Sequence, residues 1–305
     1  MDTRYGFTRR KALAAGAAVA TSFAGCLASG TSSRETPVFL LAAGSLNNAL
    51  ENGLRPSLDV PLEIEAHGSA QVARLVADGQ KAPDIVSLAD VALFDGPLHP
   101  AWYAEFATNS LVISYDPASE GGKRIAAAGD QGWFRPLLSG EVSLGRTDPD
   151  VDPLGYRTLF MLELATRHYD TDENLREAIP DREQIYPETQ LVSQFETGSI
   201  DAAVTYRNMA VERDYSFINL PTAIDLSDPA AASEYETARY TLPDGKEVRG
   251  GVISYGATIP AGKQTESVAS VFAAHTTGSY LHEFGFTVPE NYPTYTGDVP
   301  DALDA

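Results

Sequence analysis

The sequence holds one cysteine, Cys26, so neither an intramolecular disulfide nor a thiolate metal site can be built from it. Positive charge is also scarce. Twenty-two Lys and Arg stand against 42 Asp and Glu, and the formal charge is −20. A surface of that sign repels polynucleotide and anionic lipid headgroups, which excludes nucleic acid as a partner. The apolar run from Ala12 to Ala24 is too short and too rich in small residues for a comfortable membrane span. No nucleophile-elbow motif occurs, and none of the five histidines stands beside a candidate nucleophile. No repeat of a solenoid kind is present.

What is present is enough apolar residue, 43%, in 305 residues for two modest cores. Most of the basic residues near the start belong to a leader. Taking away Arg4, Arg9, Arg10, Lys11 and Asp2 leaves the rest of the chain at −23. An acidic, lysine-poor surface suits high salt, where the Debye length shrinks to roughly 3 Å at 1 M and self-repulsion is screened. A halophilic source is expected.

Residues 1–26 read as an address. Thr8-Arg9-Arg10-Lys11 before an alanine-rich apolar run is a Tat-type export signal. The run ends at Phe23-Ala24-Gly25-Cys26, which resembles a lipoprotein cleavage box. Cys26 is therefore the expected lipidation site, with residues 27–36 as a polar tether.

Downstream, short apolar runs alternate with helix-like runs. Val38 to Leu41, Leu62 to Ala66 and Pro83 to Leu88 read as strands, each followed by a turn and a helix. That alternation predicts a parallel α/β sheet with ligands at the strand C-termini. Two longer runs, 108–115 and 251–259, read as strands crossing between lobes. They divide the chain into lobe 1, residues 37–110 and 253–305, and lobe 2, residues 111–252. A cleft between such lobes can close on a ligand. In lobe 2 a strand is expected from Glu141 to Leu144 and a helix from Glu188 to Glu196. Another strand is expected from Ala202 to Tyr206, and a hairpin turn at Leu242 to Lys246.

One stretch organises the rest: Asp148-Pro-Asp-Val-Asp152-Pro153-Leu154-Gly-Tyr-Arg157. Asp152 reads as a helix N-cap and Pro153 as the first helical residue. The N–H groups of Leu154 and Gly155 are then expected to point outward unsatisfied, as an anion site. Ser45 and Ser69 each follow a glycine, Gly44 and Gly68, at a strand-to-helix turn. Plain capping explains such serines as well as ligand contact does. Glu188 follows a proline in a first helical turn, where an acid offsets the macrodipole. Tyr206 fits an ordinary strand position.

Several motifs occur in order: Ala43-Gly-Ser-Leu46, Gly68-Ser-Ala70, Ala107-Thr-Asn-Ser-Leu-Val112, Asp152-Pro-Leu-Gly-Tyr-Arg157 and Gly251-Val-Ile-Ser-Tyr-Gly-Ala-Thr-Ile-Pro260. Together the sequence resembles the molybdate/tungstate-binding proteins of archaeal ABC importers over nearly all of its mature length. The resemblance implies a two-lobed type II periplasmic-binding fold of α/β class. It implies oxyanion contacts at Gly44, Ser45, Ser69, Asp152, Pro153, Leu154, Glu188 and Tyr206. Leu154 stands where the family often has cysteine. The family's second carboxylate precedes a binding tyrosine by 18 residues, and counting back 18 from Tyr206 gives Glu188.

Two ionised carboxylates facing a dianion would repel it in a dry cleft. The arrangement makes sense if Asp152 and Glu188 bond to the Mo or W centre itself. Hard Mo(VI) and W(VI) can expand to six oxygen ligands, and sulfate and phosphate cannot. The carboxylates would then also repel the abundant oxyanions. No arginine or lysine cluster stands among these candidates, and Arg157 reads as a structural salt-bridging residue.

The expected protein is thus an exported binder, anchored to the outer face of the cytoplasmic membrane through a lipid on Cys26. It would be a monomer without cofactor or catalytic residue, handing molybdate or tungstate to an ABC permease and its ATPase. The alternatives are a binder of sulfate or another small anion, and a secreted hydrolase using Asp152 and Glu188 as acid and base.

Overall fold

A computed structural model describes residues 36–150, 152–179, 184–243, 245 and 247–300, apart from the side chains of Pro97, Glu188 and Thr189. The export signal, Cys26 and the tether through residue 35 lie outside the described residues.

In chain order the strands are β1 Val38–Ala43, β2 Leu62–His67, β3 Ile85–Leu88, β4 Trp102–Asn109, β5 Leu111–Tyr115, β6 Leu144–Thr147, β7 Ile185–Tyr186, β8 Ala202–Tyr206, β9 Ser216–Asn219, β10 Arg239–Thr241, β11 Glu247–Arg249, β12 Ile253–Thr258 and β13 Thr294–Gly297. Five helices position the site or back it: α1 Ser69–Ala77, α2 Pro153–His168, α3 Glu188–Glu196, α4 Arg207–Glu212 and α5 Glu266–Thr277.

The fold is α/β with two lobes. The sheet of lobe 1 runs β13-β4-β12-β3-β1-β2, and that of lobe 2 runs β7-β6-β8-β5-β9. β10 and β11 form a separate antiparallel pair, and part of the turn expected at Leu242 to Lys246 lies outside the described residues. Both main sheets are mixed rather than parallel. β1 is parallel to β2 and β3, but β12 is antiparallel to β3 and β4. In lobe 2, β6 is parallel to β7 and β8, while β5 is antiparallel to β8 and β9.

Burial explains the central strands. Every residue of β3 and β12 is buried, which is why they read as runs of apolar and small residues without a charge. α5 packs over β1 and β4, and Trp102 meets Phe272 edge to face at 5.2 Å.

The stretch 108–115 is two strands, not one. β4 ends at Asn109, whose own Oδ1 accepts the N–H of Ser110 at 2.9 Å. That side-chain bond takes the N–H out of the sheet ladder and ends the strand. β5 then starts in the other lobe, with Leu111 N–H on the carbonyl of Asp225. The return passage ends where Ile253 N–H meets the carbonyl of Leu226, and β12 pairs Ile253 opposite Asn109. β12 lies wholly in lobe 1, and only its N-terminal end touches the crossing. The strand expected at Glu141–Leu144 begins at Leu144 instead. Ser143 is drawn out of register by the Asp201 carboxylate, which accepts both its N–H at 3.0 Å and its hydroxyl at 2.8 Å.

Candidate functional site

Parallel strands aim their C-termini at one edge of a sheet, and both lobes present such an edge to a shared cleft of about 800 Å³. From lobe 1 come the turns after β1, β2 and β3, carrying Gly44-Ser45, Gly68-Ser69 and Ala89-Asp90. From lobe 2 come Asp152-Pro153 at the head of α2, together with Tyr156 and Arg157. Tyr206 joins them at the end of β8, and Asn208 one residue into α4. Gly44, Ser45, Ser69, Asp152, Pro153 and Tyr206 therefore meet in one place.

Leu154 and Glu188 stand differently. Leu154 is buried and its N–H is taken: Oδ1 of Asp152 accepts it at 2.8 Å. Gly155 N–H goes to the Asp152 carbonyl at 3.0 Å. The two unsatisfied donors expected at this helix end are both occupied, because Asp152 is a true N-cap. Gly155 is fixed by packing, since a Cβ there would lie 2.5 Å from the backbone of Asp148 and Pro149. Glu188 is the first residue of α3, directly after β7 and Pro187. The register of β6 on β7, Thr147 opposite Tyr186, brings the chain ends that lead to Asp152 and Glu188 out at the same sheet edge. The Glu188 side chain itself lies outside the description.

The Ser69, Tyr206 and Ser45 hydroxyls each have a polar partner. Ser69 Oγ accepts Ala89 N–H at 3.0 Å. Tyr206 Oη accepts from the Arg157 guanidinium at 2.7 Å, and that guanidinium also lies over the Tyr206 ring, 5.7 Å from its centre. Ser45 Oγ lies 3.1 Å from Tyr255 Oη. A hydroxyl that accepts from a fixed donor has its own proton left to give. At Gly44 an added Cβ would make only ordinary contact, and at Gly68 it would meet nothing within 4 Å. The space above both turns opens into the cleft.

Charge in the cleft is mixed. Asp90, Asp152 and Glu212 line it, and so do Arg74, Arg157 and Arg213. The expectation that no arginine or lysine cluster stands among the cleft residues is thus corrected, since three arginines line it. Arg157 is also no salt-bridge residue: among the described residues no carboxylate comes within ion-pair distance of it, and its partner is a phenol. Sequence reading misses this because α2 carries the guanidinium one turn in from its N-terminus, aimed across to β8. Burial pushes the Asp152 carboxyl above its ordinary value, with the Leu154 N–H and the Arg157 charge pulling the other way. Burial likewise raises the Tyr206 phenol, so it stays protonated and able to donate. Asp90, Asn208 and Tyr255 do not stand out from sequence either, although Tyr255 sits inside the Gly251–Pro260 motif.

One nucleophile–base pair does exist, contrary to expectation. Ser87 Oγ lies 2.9 Å from Nε2 of His275, whose Nδ1 lies 2.8 Å from Tyr280 Oη. Ser87 and His275 are wholly buried in lobe 1, between β3 and α5. Burial pushes the imidazole down to about 3, which keeps it neutral. No substrate reaches it, and it serves as packed polar core.

Known proteins share this architecture. A Haloferax volcanii protein named "Putative ABC transporter molybdenum-binding protein" is 53% identical over 302 residues, 96% of each chain. A Thermococcus kodakarensis protein named as molybdate/tungstate-binding is 31% identical over 276 residues, covering 77% of this chain and 78% of its own. Among solved structures, the periplasmic molybdate-binding protein of Azotobacter vinelandii superposes with a TM-score of 0.51 at 16% identity. That match covers 83% of this chain and all of the other, and it bears on the fold alone. The family model described as bacterial extracellular solute-binding protein matches residues 46–275, from the first cleft turn to the helix behind β4, and the chain belongs to that family.

Proposed function

We propose that this chain is the solute-binding component of an ABC importer and that it captures molybdate or tungstate between its lobes. One observation carries the reading. The Asp152 carboxylate shares a cleft with hydroxyl donors at Ser45, Ser69 and Tyr206 and with the Arg157 guanidinium. Hydroxyls and a guanidinium suit the oxygens of a tetrahedral dianion. A carboxylate does not, unless it binds the central atom. One oxygen of Asp152 is used in capping, and the other is available to a hard metal centre. Glu188 supplies the second carboxylate in this proposal, with Gly44 and Pro153 shaping the pocket wall. Molybdenum or tungsten is here cargo, and no resident cofactor is needed. The names of the two relatives support the same ligand class.

The test is a thermal melt. Saturating tungstate or molybdate should stabilise the protein by RT ln(1 + [L]/Kd), about 2.7 kcal/mol at a hundredfold excess over Kd. Sulfate at the same concentration should do much less. Melting temperatures that ignore both tungstate and molybdate would contradict the assignment, and a sulfate shift as large as theirs would favour the general-anion reading. The hydrolase reading, with Asp152 and Glu188 as acid and base, has weaker support: the chain belongs to a solute-binding family, one oxygen of Asp152 is committed to capping, and the Ser87–His275 pair is buried.

Delivery follows from the family. The partners are a permease and its ATPase, and a monomer suffices for a cleft built within one chain. The protein acts at the outer face of the cytoplasmic membrane, held by a lipid on Cys26 after Tat export of its leader. No helix among the described residues is long and apolar enough to cross a membrane. If the lipid on Cys26 is the anchor, Cys26→Ser should move the protein from the membrane fraction to the soluble one. Equal membrane retention of the variant would refute the anchor. The acidic surface, at −20 overall, fits a halophilic source.

A further inference from the structure

Behind Ser45 runs a chain of buried polar side chains that leads from the Ser110 N–H to the Ser45 hydroxyl. It begins at Asn109, where the Ser110 N–H donates to one side-chain atom at 2.9 Å. That atom can only be Oδ1, so the other end of the amide is the donor. Nδ2 of Asn109 gives one hydrogen to Asn208 Oδ1 at 2.8 Å and one to Tyr255 Oη at 3.2 Å. Asn208 is thereby oriented too, and its Nδ2 donates to the carbonyl of Ser45 at 3.0 Å. Tyr255 Oη, already accepting from Asn109, has one proton to place, and Ser45 Oγ at 3.1 Å is the partner left for it. Ser45 Oγ then accepts. Its own proton has no other described partner and faces the cleft.

Asn109, Asn208 and Tyr255 are all at most 3% exposed. Their side chains are thus almost wholly withdrawn from solvent, which limits relaxation of the directions through water. The chain also spans both lobes. Asn109 ends the last lobe 1 strand before the crossing, Tyr255 lies on β12 of lobe 1, and Asn208 lies on α4 of lobe 2.

We infer that Asn109 and Tyr255 are positioning residues that fix the Ser45 hydroxyl as a hydrogen-bond donor to an oxygen of the bound anion. Asn208 locks the same turn from the opposite lobe. The inference rests on the oxyanion reading of the cleft. In this arrangement Tyr255 acts through Ser45. A fixed donor suits an acceptor oxygen without reorganisation on binding, whereas a hydroxyl free to rotate would spend part of its population facing Tyr255.

A double-mutant cycle tests this, read by calorimetric titration of tungstate. Tyr255→Phe keeps the ring, which packs edge to face on Phe286 at 5.1 Å, and removes only the hydroxyl. It should weaken tungstate about fivefold to tenfold, the range of one neutral hydrogen bond. Ser45→Ala should weaken it by a similar factor. The two together should be no weaker than Ser45→Ala alone, because Tyr255 has nothing left to orient. Asn109→Asp provides a second route. It replaces the donor by an acceptor, so Tyr255 turns its proton toward the new carboxylate and Ser45 turns its own toward Tyr255. The added charge acts in both backgrounds, and the part of its effect that vanishes in Ser45→Ala measures the relay. Wild-type affinity in Tyr255→Phe, or losses that multiply in the double variant, would overturn the relay while the oxyanion reading stands. A wild-type protein that takes up no tungstate in the same titration overturns both.

Discussion

Asp152→Asn should leave the fold intact and yet lower tungstate affinity at least a hundredfold, about 2.7 kcal/mol. The two roles of this carboxylate are separable because they use different atoms. Oδ1 caps α2 by accepting Leu154 N–H at 2.8 Å, and an asparagine oxygen caps a helix as well as an aspartate oxygen does. The other oxygen, which shares the carboxylate's charge, would bond to a hard Mo or W centre, and a neutral amide is a poor substitute. Asp152→Ala should bind as weakly as the Asn variant and in addition lose about 0.5–2 kcal/mol of stability with the cap. Sulfate should respond in the opposite sense. It cannot bond to the carboxylate and is only repelled by it, so removing the charge should leave its binding unchanged or improved. The tungstate-to-sulfate preference then narrows from both sides. Titrations of both anions against wild type and the two variants, each checked by melting, measure this. An Asn variant that keeps wild-type tungstate affinity would reduce Asp152 to a cap and sink the metal-ligand model there.

That Asp152 is legible in the sequence, and the task of Arg157 is not, reflects what sequence patterns encode. Local rules carry local structure. Asp-Pro at the head of an apolar periodic run gives a capped helix, and α2 starts at Pro153 as that rule requires. The glycine–serine turns after β1 and β2 follow the same logic. The rules fail where a side chain intervenes in the backbone. Asn109 takes the Ser110 N–H and splits a strand. Asp201, 58 residues away, captures Ser143 and moves the start of β6. The strand β4 begins at Trp102, well before the apolar run that signals it, because Glu105 interrupts its apolar pattern. Sheet direction is misread for a related reason: the alternation of strands and helices describes β1 to β3, and the antiparallel β12 and β4 enter from distant parts of the chain. Arg157 and the Asn109–Tyr255 relay depend on contacts between residues 49 and 146 positions apart. No window of sequence contains such pairs, although the motifs that carry them are visible as words without an assigned task.

Arg157→Gln should weaken tungstate and sulfate alike, each by at least about tenfold, and so preserve their ratio. The guanidinium lines the cleft beside Asp152, and its described hydrogen-bond partner is the Tyr206 phenol at 2.7 Å rather than a carboxylate. Its charge is therefore left for whatever occupies the cleft. It offsets the field of Asp152 and Asp90, both of which line the same space. A dianion entering that space gains from a fixed cation whether its centre is sulfur or tungsten. Such a group would set affinity for anions in general, while Asp152 would set the preference among them. Gln removes the charge and keeps an N–H donor for Tyr206, so the orientation of the phenol survives. Arg157→Lys keeps the charge and loses the planar fork, and it should fall between wild type and Gln. The measurement is again paired titration of both anions, with melting curves to confirm that each variant is folded. A Gln variant with undiminished affinity for both anions would make Arg157 a structural prop for Tyr206. A loss confined to tungstate would mean that Arg157 acts through the coordination of the metal, and the division of labour between Arg157 and Asp152 would then be wrong.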